Sequence, residues 1–389
     1  GLNLTSIIRK LQLSNSFYYN QRLFDGKLPF GSGGIIDLNR SFWGYKLNVN
    51  IQGYLNYDLG FSYNNQKDDR QRFFNDEGIK TDQVMGQNEN YENTSLYFFG
   101  SKSLGKLNFS GGARFENNVI SLDSYFKPSD KKTRRINSFN PSVNFLYEFD
   151  KIDVFANFSS GYETPTLNEL SATANQLGFN DDLKNIKSNT FEIGFANLKK
   201  GNVVNYSIRL FHISTINEIT PYQLNDGLVL YSNAGKTTKK GAEVEFNGKL
   251  SDQLNFEYAA SIGNYKFESF KFIENDFSNN LMPGIPKSQH NIKIKYKNES
   301  NFNLVIGLKR VGKMFADNAN KTEIDGYSSI NVKMSKNLNL FETSITPFIS
   351  IDNLFNKEYF DNIRINAFGS RFYEPAAGIN FVGGLKLNL

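Results

Sequence analysis

The chain contains no cysteine among its 389 residues, so it can form neither a disulfide framework nor a thiolate metal site. Only two histidines occur, and neither has a carboxylate or second histidine at metal-site spacing, so no metal or other cofactor is expected. No window approaches the roughly 18 uninterrupted apolar residues of a spanning helix, which excludes a helical membrane protein. The net charge is +5 and the basic residues are dispersed, so nucleic-acid binding is not expected.

Aromatic residues are abundant in a chain that is polar on average. The sequence contains 36 Phe and 20 Tyr, yet its mean hydropathy is -0.47. A conventional buried core does not combine these two properties. In strands that alternate apolar and polar residues, the two kinds of residue cancel in the mean hydropathy, so a strand with one apolar face still scores as polar. Besides helices, a closed sheet is the structure that pairs every backbone group in lipid. The composition is therefore compatible with a transmembrane β-barrel.

Apolar and polar residues alternate with a period of two along much of the chain. In residues 291–296, Ile292, Ile294 and Tyr296 alternate with polar residues that include Lys293 and Lys295. Residues 55–64, 107–116 and 380–389 repeat this pattern, with the charged residues on one face only. We count about sixteen strand segments, many of roughly ten to eighteen residues, which suits a tilted membrane span. The first of them is predicted from Thr5 to Tyr19.

The connections between these segments alternate between short and long. Short ones lie near residues 52–54, 103–106, 150, 200–202, 251–252, 298–301 and 340–342, and long ones cover 20–34, 73–87, 126–137, 164–184, 219–236, 269–286, 315–325 and 356–370. Outer-membrane barrels have short periplasmic turns and longer extracellular loops. The pattern predicts an all-β fold, a transmembrane antiparallel up-and-down β-barrel that forms one domain over residues 1–389 in a bacterial outer membrane.

Four motifs occur in a family-specific order. They are residues 160–170 (SGYETPTLNEL), Asn233–Gly235 followed by Gly241–Glu243 (NAG and GAE), Pro283–Pro286 (PGIP) and Asp352–Tyr359 (DNLFNKEY). This series resembles the barrel of TonB-dependent receptors, the outer-membrane transporters that import ferric siderophores, cobalamin and similar scarce nutrients. The resemblance covers most of the chain.

The resemblance departs from the family at both ends of the chain. Family barrels have 22 strands and an N-terminal plug, and neither the plug nor a TonB-box-like segment is found here. We therefore interpret the chain as the last sixteen or so strands of a longer receptor, with a self-contained sixteen-stranded barrel as the alternative. At the other end Leu389 stands where outer-membrane barrels often end in Phe.

The resemblance implies energised uptake without bond chemistry, so the protein is not expected to be an enzyme. A metal chelate would be captured by the outer loops, and the TonB–ExbB–ExbD complex would act through the missing plug. Aromatic and cationic side chains of the long loops are candidate contacts for an anionic ferric chelate. These residues are Tyr222, Tyr231, Phe360, Arg364 and Arg371. The sequence does not identify the ligand.

Other interpretations involve different residues or partners. The basic residues Lys131, Lys132, Arg134 and Arg135 could bind the chelate, or the phosphates of lipopolysaccharide in the surrounding outer-membrane lipid. An acyl hydrolase would use His212 near Ser214 or His290 near Ser288. A further alternative is a passive sixteen-stranded porin, or a structural barrel that binds a surface lipoprotein or another envelope-complex partner.

Overall fold

The structure of the protein, a computed structural model, describes residues 1–29, 31–126, 131–171, 179–197, 203–224, 229–340 and 343–388. The strands are β1 (Leu2–Ile8), β2 (Leu11–Lys27), β3 (Ile35–Ile51), β4 (Asn56–Asp76), β5 (Ile79–Leu104), β6 (Leu107–Ser124), β7 (Lys132–Glu148), β8 (Asp153–Glu163), β9 (Ile186–Asn197), β10 (Val204–Ile216), β11 (Ile219–Gln223), β12 (Val229–Asn233), β13 (Lys236–Lys249), β14 (Leu254–Ser269), β15 (Lys271–Phe272), β16 (Asn275–Asp276), β17 (Ser288–Lys297), β18 (Phe302–Val311), β19 (Met314–Phe315), β20 (Glu323–Ile324), β21 (Tyr327–Lys336), β22 (Leu338–Leu340), β23 (Thr343–Asp352), β24 (Phe360–Ile363), β25 (Tyr373–Pro375) and β26 (Asn380–Asn388). The helical elements are α1 (Leu167–Ser171) and a 3-10 helix at Phe368–Ser370. Among these residues, no helix is both long and apolar enough to cross a membrane.

Eighteen of the described strands form one antiparallel sheet, which confirms the predicted all-β, up-and-down class. Two compact units are present. The first unit comprises Gly1–Tyr147, Asn157–Thr190 and Thr215–Lys236, and the second comprises Glu148–Ala156, Phe191–Ser214 and Thr237–Leu389. Each of β1 to β6 in the first unit pairs with the next strand in the chain. In the second unit the consecutive pairings are β14–β17, β17–β18, β18–β21, β21–β23 and β23–β26. The single domain over residues 1–389 stays a prediction.

The estimate of about sixteen strands was too low, and the N-terminal segment is one reason. The strand predicted from Thr5 to Tyr19 is a hairpin, in which β1 and β2 pair from Leu2↔Phe17 to Ile8↔Leu11. Arg9 has a left-handed φ of 57° at the turn, a conformation that usually falls to Gly or Asn. A charged Arg-Lys turn gives no such signal in the sequence. β22 is a second short segment, which pairs with β23 beside β21.

The alternation of short and long connections is visible in the first unit, but one predicted long loop is mostly strand. Only Glu77 and Gly78, both at positive φ, separate β4 from β5, so residues 73–87 form a two-stranded ribbon with register shifts near Phe73 rather than a loop. Smaller hairpins occupy other predicted loops: β11–β12 in 219–236, β15–β16 in 269–286, β19–β20 in 315–325 and β24–β25 near 356–370. The predicted turn at 200–202, most of that at 340–342, and Leu389 lie outside the described residues.

Alternate residues of β2 to β7 divide between two faces of the sheet. The face that carries Phe61 is called the outer face, and the face that carries Ser62 is called the inner face. Apolar side chains form a band across the outer face, and many are well exposed, including Leu96 at 55% and Phe139 at 64%. The band comprises Phe17, Leu47, Val49, Leu59, Phe61, Leu96, Phe98, Phe109, Phe115, Phe139 and Phe145. Exposed apolar side chains in a continuous band on strand faces are typical of a surface in contact with lipid.

The inner face of the same strands is polar and its side chains bond to one another across the strands. The Ser62 and Ser95 hydroxyls lie 2.7 Å apart. Asn64 donates to Asn93 Oδ1 at 3.3 Å, and Asn93 donates to Asn118 Oδ1 at 2.7 Å. Such pairing lets polar groups be buried without an unsatisfied hydrogen bond. The predicted separation of charged and apolar residues onto opposite faces is confirmed for residues 56–64 of β4 and 107–116 of β6, where Asp58, Arg114 and Glu116 lie on the inner face.

Candidate functional site

The inner face carries a buried ion-pair network toward the end where the long connections lie. We call inner charge network the set of Arg40, Asp68, Arg70, Arg72 and Glu89. The Arg40 guanidinium binds both oxygens of Asp68, with Nε 2.8 Å from Oδ1 and Nη2 2.6 Å from Oδ2. Arg70 Nε lies 3.0 Å from Glu89 Oε1, and Arg70 Nη2 lies 3.9 Å from Asp68 Oδ2. Asp68 and Glu89 are each 1% exposed.

Strand register explains why these residues meet. Asp68 faces Arg40 on β3 and Glu89 on β5, and all three point to the inner face. Gln87 donates to Glu89 Oε1 at 2.6 Å and completes one side of this carboxylate. Within the described residues, Glu89 Oε2, Arg70 Nε and Arg72 Nε are buried without a hydrogen-bond partner, although Arg70 Nε forms an ion pair with Glu89. The network therefore retains an unused acceptor at Glu89 and an unused donor at Arg72 for a group that enters from the inner side.

A segment between β8 and β9 packs onto this region of the inner face. We call it the inner segment (residues 164–171 and 179–184). It begins with a capping box, because Thr166 N donates to Glu169 Oε2 at 2.7 Å and Glu169 N donates to Thr166 Oγ1 at 3.2 Å. An apolar cluster attaches the segment to the strands: Leu167, Leu170, Phe179 and Leu183 against Ile120, Leu122 and Ile136.

Polar contacts also hold the inner segment in place. Asn168 accepts a hydrogen bond from Arg70 Nη1 at 3.3 Å, which connects α1 to the inner charge network. Arg134 Nη1 donates to the Leu183 carbonyl at 2.6 Å, and Lys132 forms an ion pair with Asp181. The basic residues at 131–135 are therefore divided: Lys132 and Arg134 bind the inner segment, whereas Arg135 lies exposed on the outer face.

The candidate residues Tyr222 and Tyr231 lie together in the β11–β12 hairpin. Both pack against Leu230, and Tyr231 also packs against the cluster of the inner segment. Asn180 Nδ2 donates to the Tyr231 carbonyl at 3.2 Å. Burial raises the pKa of both tyrosines, with Glu169 adding to the effect at Tyr231. Both hydroxyls therefore stay protonated at neutral pH, able to donate one hydrogen bond each.

Asn233 of the NAG motif fastens this hairpin to the inner segment. Its Oδ1 accepts from Lys184 N at 2.6 Å, and its Nδ2 lies 3.0 Å from the Lys184 carbonyl and 2.8 Å from the Asn217 carbonyl. The family motif marked this residue in the sequence, but its partners lie 49 and 16 positions away along the chain. Its structural role could not be read from the pattern.

Phe360, Arg364 and Arg371 lie in or beside the β24–β25 hairpin of the second unit. The Phe360 and Tyr373 rings are 4.5 Å apart. Arg364 Nε donates to Glu374 Oε1 at 2.6 Å, and Arg371 Nε donates to the Phe368 carbonyl at 3.2 Å. Hydrogen bonds from Asn362 and then Arg364 lower the pKa of Glu374. The charge of Arg364 is thus balanced within its own hairpin.

The DNLFNKEY motif is explained by turn chemistry at the end of β23. Asn353 has a left-handed φ of 51°, and its side chain accepts from Lys357 N at 2.8 Å and donates to the Lys357 carbonyl at 2.9 Å. Its backbone N–H donates to Asn331 Oδ1 at 2.9 Å. Asn tolerates this backbone conformation better than most residues and bonds to its own turn. The motif therefore marks a strand end rather than a ligand contact.

One of the two histidines, His290, contacts a tyrosine on the neighbouring strand. His290 Nδ1 lies 3.0 Å from the Tyr258 hydroxyl, and the two rings stack at 6.2 Å. This contact differs from the His290 and Ser288 pair that a hydrolase would need.

The residues of the inner charge network were not predicted from the sequence. Asp68, Arg70 and Arg72 alternate on β4, and Gln87 and Glu89 alternate on β5. Asp68, Arg70 and Arg72 precede the predicted loop at 73–87 and Glu89 follows it, so alternation alone indicates one face for the charged residues of β4. That Glu89 lies opposite Asp68 depends on the register of the ribbon that replaces the loop.

Comparisons with known proteins agree with this fold. The model of the family "TonB dependent receptor-like, beta-barrel" matches residues 1–354. The ferrioxamine receptor of Yersinia enterocolitica is 22% identical over 278 residues, which cover 69% of this chain and 36% of that receptor. The ferric citrate transporter FecA in its unliganded form superimposes with a TM-score of 0.80 at 18% identity, over 97% of this chain and 59% of that one. The siderophore receptor PiuA from Acinetobacter baumannii gives a TM-score of 0.77 at 16% identity, over 99% and 63%.

The chain therefore spans about a third of the curated relative and about three fifths of these solved structures. The family model extends over most of the chain, and the solved structures share its fold. The chain belongs to the TonB-dependent receptor β-barrel family and is an outer-membrane protein.

Proposed function

We propose that the protein is the barrel of a TonB-energised outer-membrane transporter that imports a scarce nutrient, a ferric siderophore or a similar metal chelate. Family membership supports this proposal, as do the names of similar proteins, which specify ferrioxamine, ferric citrate and siderophores. The barrel performs no bond chemistry in this proposal. It binds the chelate, surrounds its path and holds the plug.

The inner charge network is the observation that carries the proposal. It contains three guanidinium groups against two carboxylates, a net charge of 3 − 2 = +1 when both carboxylates are ionised. Arg72 Nε is buried without a hydrogen-bond partner among the described residues. Guanidinium groups bind carboxylates and other oxyanions strongly through paired N–H donors. An anionic chelate that enters from the long-connection end meets this network on the inner face.

Five residues of the long connections are proposed ligand contacts, two in the first unit and three in the second. Tyr222 and Tyr231 offer two hydroxyls and two rings from one hairpin, and Phe360, Arg364 and Arg371 offer a ring and two guanidinium groups in or beside another. Arg364 already binds Glu374, so Arg371 is the stronger candidate of the two arginines.

The proposed partners follow from the same mechanism. They are the TonB–ExbB–ExbD complex acting through a plug, outer-membrane lipid with lipopolysaccharide, and the chelate itself. A surface lipoprotein or another envelope partner is a further proposed contact of the long connections.

Uptake of radioactive iron tests the function directly. The native protein would be expressed in outer membranes of a strain that lacks its own ferric receptors, and 55Fe uptake would be measured with ferrioxamine B and with ferric citrate. We expect saturable uptake of one chelate that disappears when TonB is deleted. Equal uptake with and without TonB would replace this proposal with a passive pore, and absence of uptake with every chelate would favour a structural partner.

A matched pair of variants connects uptake to the network. Arg72→Gln removes a half-buried guanidinium of the inner face, whereas Arg135→Gln removes an exposed one of the outer face. We expect the first variant to raise the half-saturating chelate concentration about tenfold, which corresponds to a loss of about 1.4 kcal/mol in binding free energy. The second variant should leave this concentration unchanged. The intact mass of the native protein and its N-terminal peptide would establish whether a plug precedes the barrel.

A further inference from the structure

One side of the second unit carries lysine side chains at the depth of its apolar residues. On β17, Lys293 and Lys295 flank Ile294, which pairs with Ile306 of β18. These isoleucines are 40% and 36% exposed. Exposed apolar side chains on the strands of an outer-membrane barrel face lipid, and successive side chains of a strand point to opposite sides, so the two lysines point away from lipid. We call the side of β14, β17, β18, β21 and β23 that carries these lysines the lysine face.

Positive charge exceeds negative charge on the lysine face. By strand register, its charged side chains on the five strands are five lysines and two carboxylates: Lys293, Lys295, Lys297, Lys309, Lys333, Glu257 and Asp352. The net charge is therefore 5 − 2 = +3. Of these lysines, Lys295 is the one that forms an ion pair within the described part of the chain, with Glu257. Ionisable side chains at membrane depth are costly, and they commonly line the path of a charged solute.

Cross-strand pairing arranges the lysines around a low centre. Three adjacent rows of the lysine face run across β17, β18 and β21, each with three paired residues: Asn291 with Lys309 and Ser329, Lys293 with Gly307 and Asn331, and Lys295 with Val305 and Lys333. Neighbouring strands lie about 4.8 Å apart and successive rows about 6.7 Å apart, so the Cα atoms of the four lysines fall within roughly 10 by 14 Å. At Gly307 a Cβ atom would meet nothing closer than a backbone oxygen at 3.9 Å, so the centre of the rows is open.

Two lysines and one amide of these rows are oriented by contacts that do not neutralise them. Lys309 Nζ lies 5.8 Å from the centre of the Tyr327 ring, and Lys333 Nζ lies 5.2 Å from the centre of the Phe348 ring. An aromatic ring attracts an ammonium group and leaves its charge in place. Asn331 Oδ1 accepts from a backbone N–H of the turn after β23 at 2.9 Å, so its Nδ2 group keeps the role of donor. The lysine face therefore presents oriented cations together with an amide donor, a combination that suits an oxyanion.

The type of residue favours passage of an anion over permanent binding. A lysine ammonium group is compact, strongly hydrated and attached to a flexible stem, and it lacks the paired donors by which a guanidinium group holds an oxyanion. A site on a transport path must attract its solute and release it again, and rings of basic side chains select anions in this way in pores. In the inner charge network, by contrast, the guanidinium groups of Arg40 and Arg70 are held by carboxylates.

We propose that the lysine face is a transit site that binds a small polycarboxylate, the anionic part of a ferric chelate on its way through the barrel. Lys293 is the sixth of the ten residues of β17, so the site lies near the middle of the span. The groups that carry it are Lys293, Lys309, Lys333 and Asn331, while Lys295 is partly neutralised by its ion pair. The role in transport rests on the proposed import function, whereas binding of anions can be measured without transport.

Amine labelling of the native protein in detergent tests anion binding directly. Acetylation of Lys293, Lys309 and Lys333 would be followed by peptide mass spectrometry in citrate and in sodium chloride of the same ionic strength. We expect citrate to slow acetylation of these lysines about fivefold. Lys336, an exposed lysine on the opposite face of β21, should react at the same rate in both salts. Equal slowing by chloride, or slow labelling in both salts, would overturn the proposal, because the lysines would then supply only diffuse charge or be covered by protein.

Two substitutions distinguish a built site from general positive charge. Asn331→Ala removes the amide donor and leaves every charge in place, so it should weaken the protection by citrate about threefold. Gly307→Glu places a carboxylate at the open centre of the rows and should abolish this protection. Unchanged protection in either variant would reduce the lysine face to diffuse electrostatics and overturn the proposal. Heat-modifiable migration in gels checks that each variant is folded.

Uptake of ferric citrate by cells connects the site to transport. Because the lysine face lies at the middle of the span rather than among the long connections, Lys293→Gln should lower the maximal uptake rate about threefold without changing the half-saturating concentration. Lys336→Gln is the matched control and should import at the native rate. A native protein that imports no chelate would end the proposed function, while the labelling result would still decide the anion site. Normal uptake of ferric citrate by Lys293→Gln, or native uptake confined to chelates without free carboxylates, would overturn the transit role.

Discussion

At the scale of single residues, Asp68 is the side chain whose loss should destabilise the protein most. It binds Arg40 through both oxygens and is 1% exposed. Removing one partner of a buried ion pair leaves an uncompensated charge, so Asp68→Ala should lower the free energy of unfolding by about 3 kcal/mol. Urea unfolding in detergent, followed by Trp43 fluorescence, measures the change. Lys313→Gln breaks an exposed pair with Glu323 and should have no measurable effect, and equal losses in both variants would contradict this assignment.

Asn233 should stabilise the attachment of the β11–β12 hairpin to the inner segment more than it stabilises the whole fold. Asn233→Ala removes three hydrogen bonds that join the β11–β12 hairpin to Lys184 and Asn217. We expect a loss of about 2 kcal/mol and faster proteolysis near the inner segment. Time-resolved limited proteolysis measures the rate, with Asn3→Ala, an exposed change in β1, as the control. An unchanged cleavage rate would show that the hairpin is held by its apolar contacts alone.

The Arg364–Glu374 pair should make the β24–β25 hairpin sensitive to acid. Hydrogen bonds from Asn362 and Arg364 lower the pKa of Glu374 below its ordinary value of 4.5. A carboxylate with a lowered folded pKa stabilises the folded state above its ordinary pKa, and this contribution disappears as the pH falls through the lowered value. Hydrogen exchange of the hairpin, corrected for the intrinsic rate, should therefore accelerate as the pH falls below about 4.5. A Glu374→Gln variant should exchange at one corrected rate throughout, and the same acceleration in both proteins would exclude the pair as the cause.

At the scale of elements, the inner segment is held by a small apolar cluster beneath α1. Leu170 is 1% exposed and packs among Ile120, Leu122 and Ile136. Because α1 has five residues, it is too short to be stable by itself, and its position depends on this packing. Leu170→Ala should cost about 3 kcal/mol and release the segment. Accessibility of a cysteine introduced at Asn168 reports the release, compared with the same cysteine in the otherwise native chain. Unchanged labelling would mean that Arg70 and Arg134 suffice to hold the segment.

At the scale of the molecule, the apolar band and the polar zone beyond it define the membrane position. Val143 lies midway along the apolar outer-face residues of β7, whereas Asn137 lies on the same strand and face beyond them. A charge near the bilayer midplane costs about 2–4 kcal/mol and little near the interface. Val143→Arg should therefore destabilise the protein in lipid vesicles by that amount, and Asn137→Arg should have almost no effect. Equal effects in urea titrations would show that the band does not face lipid.

The alternation of residues along the strands determines much of this architecture by itself. Period-two patterning distinguishes the faces of β4 and β6 without reference to the rest of the molecule, because successive side chains of a strand always point to opposite sides. The class of fold, the outer-membrane placement and the family follow from that pattern and from four motifs in order. Strand ends are harder to predict. The turn at Arg9 contains no typical turn residue, and the ribbon at 73–87 has no clear strand pattern.

Only the tertiary structure decided which side chains meet. Arg40, Asp68 and Glu89 are 28 and 21 residues apart in the chain, and their meeting depends on the register of three strands, which no local pattern specifies. The same is true of Asn233 and Lys184, and of the inner segment, whose burial depends on strands β6 and β7. A local pattern determines which face a residue occupies, whereas cross-strand partners depend on long-range pairing. The sequence by itself thus determined the class of fold and the face that each strand residue occupies. The tertiary structure decided which of these side chains meet, because strand register is set by long-range pairing.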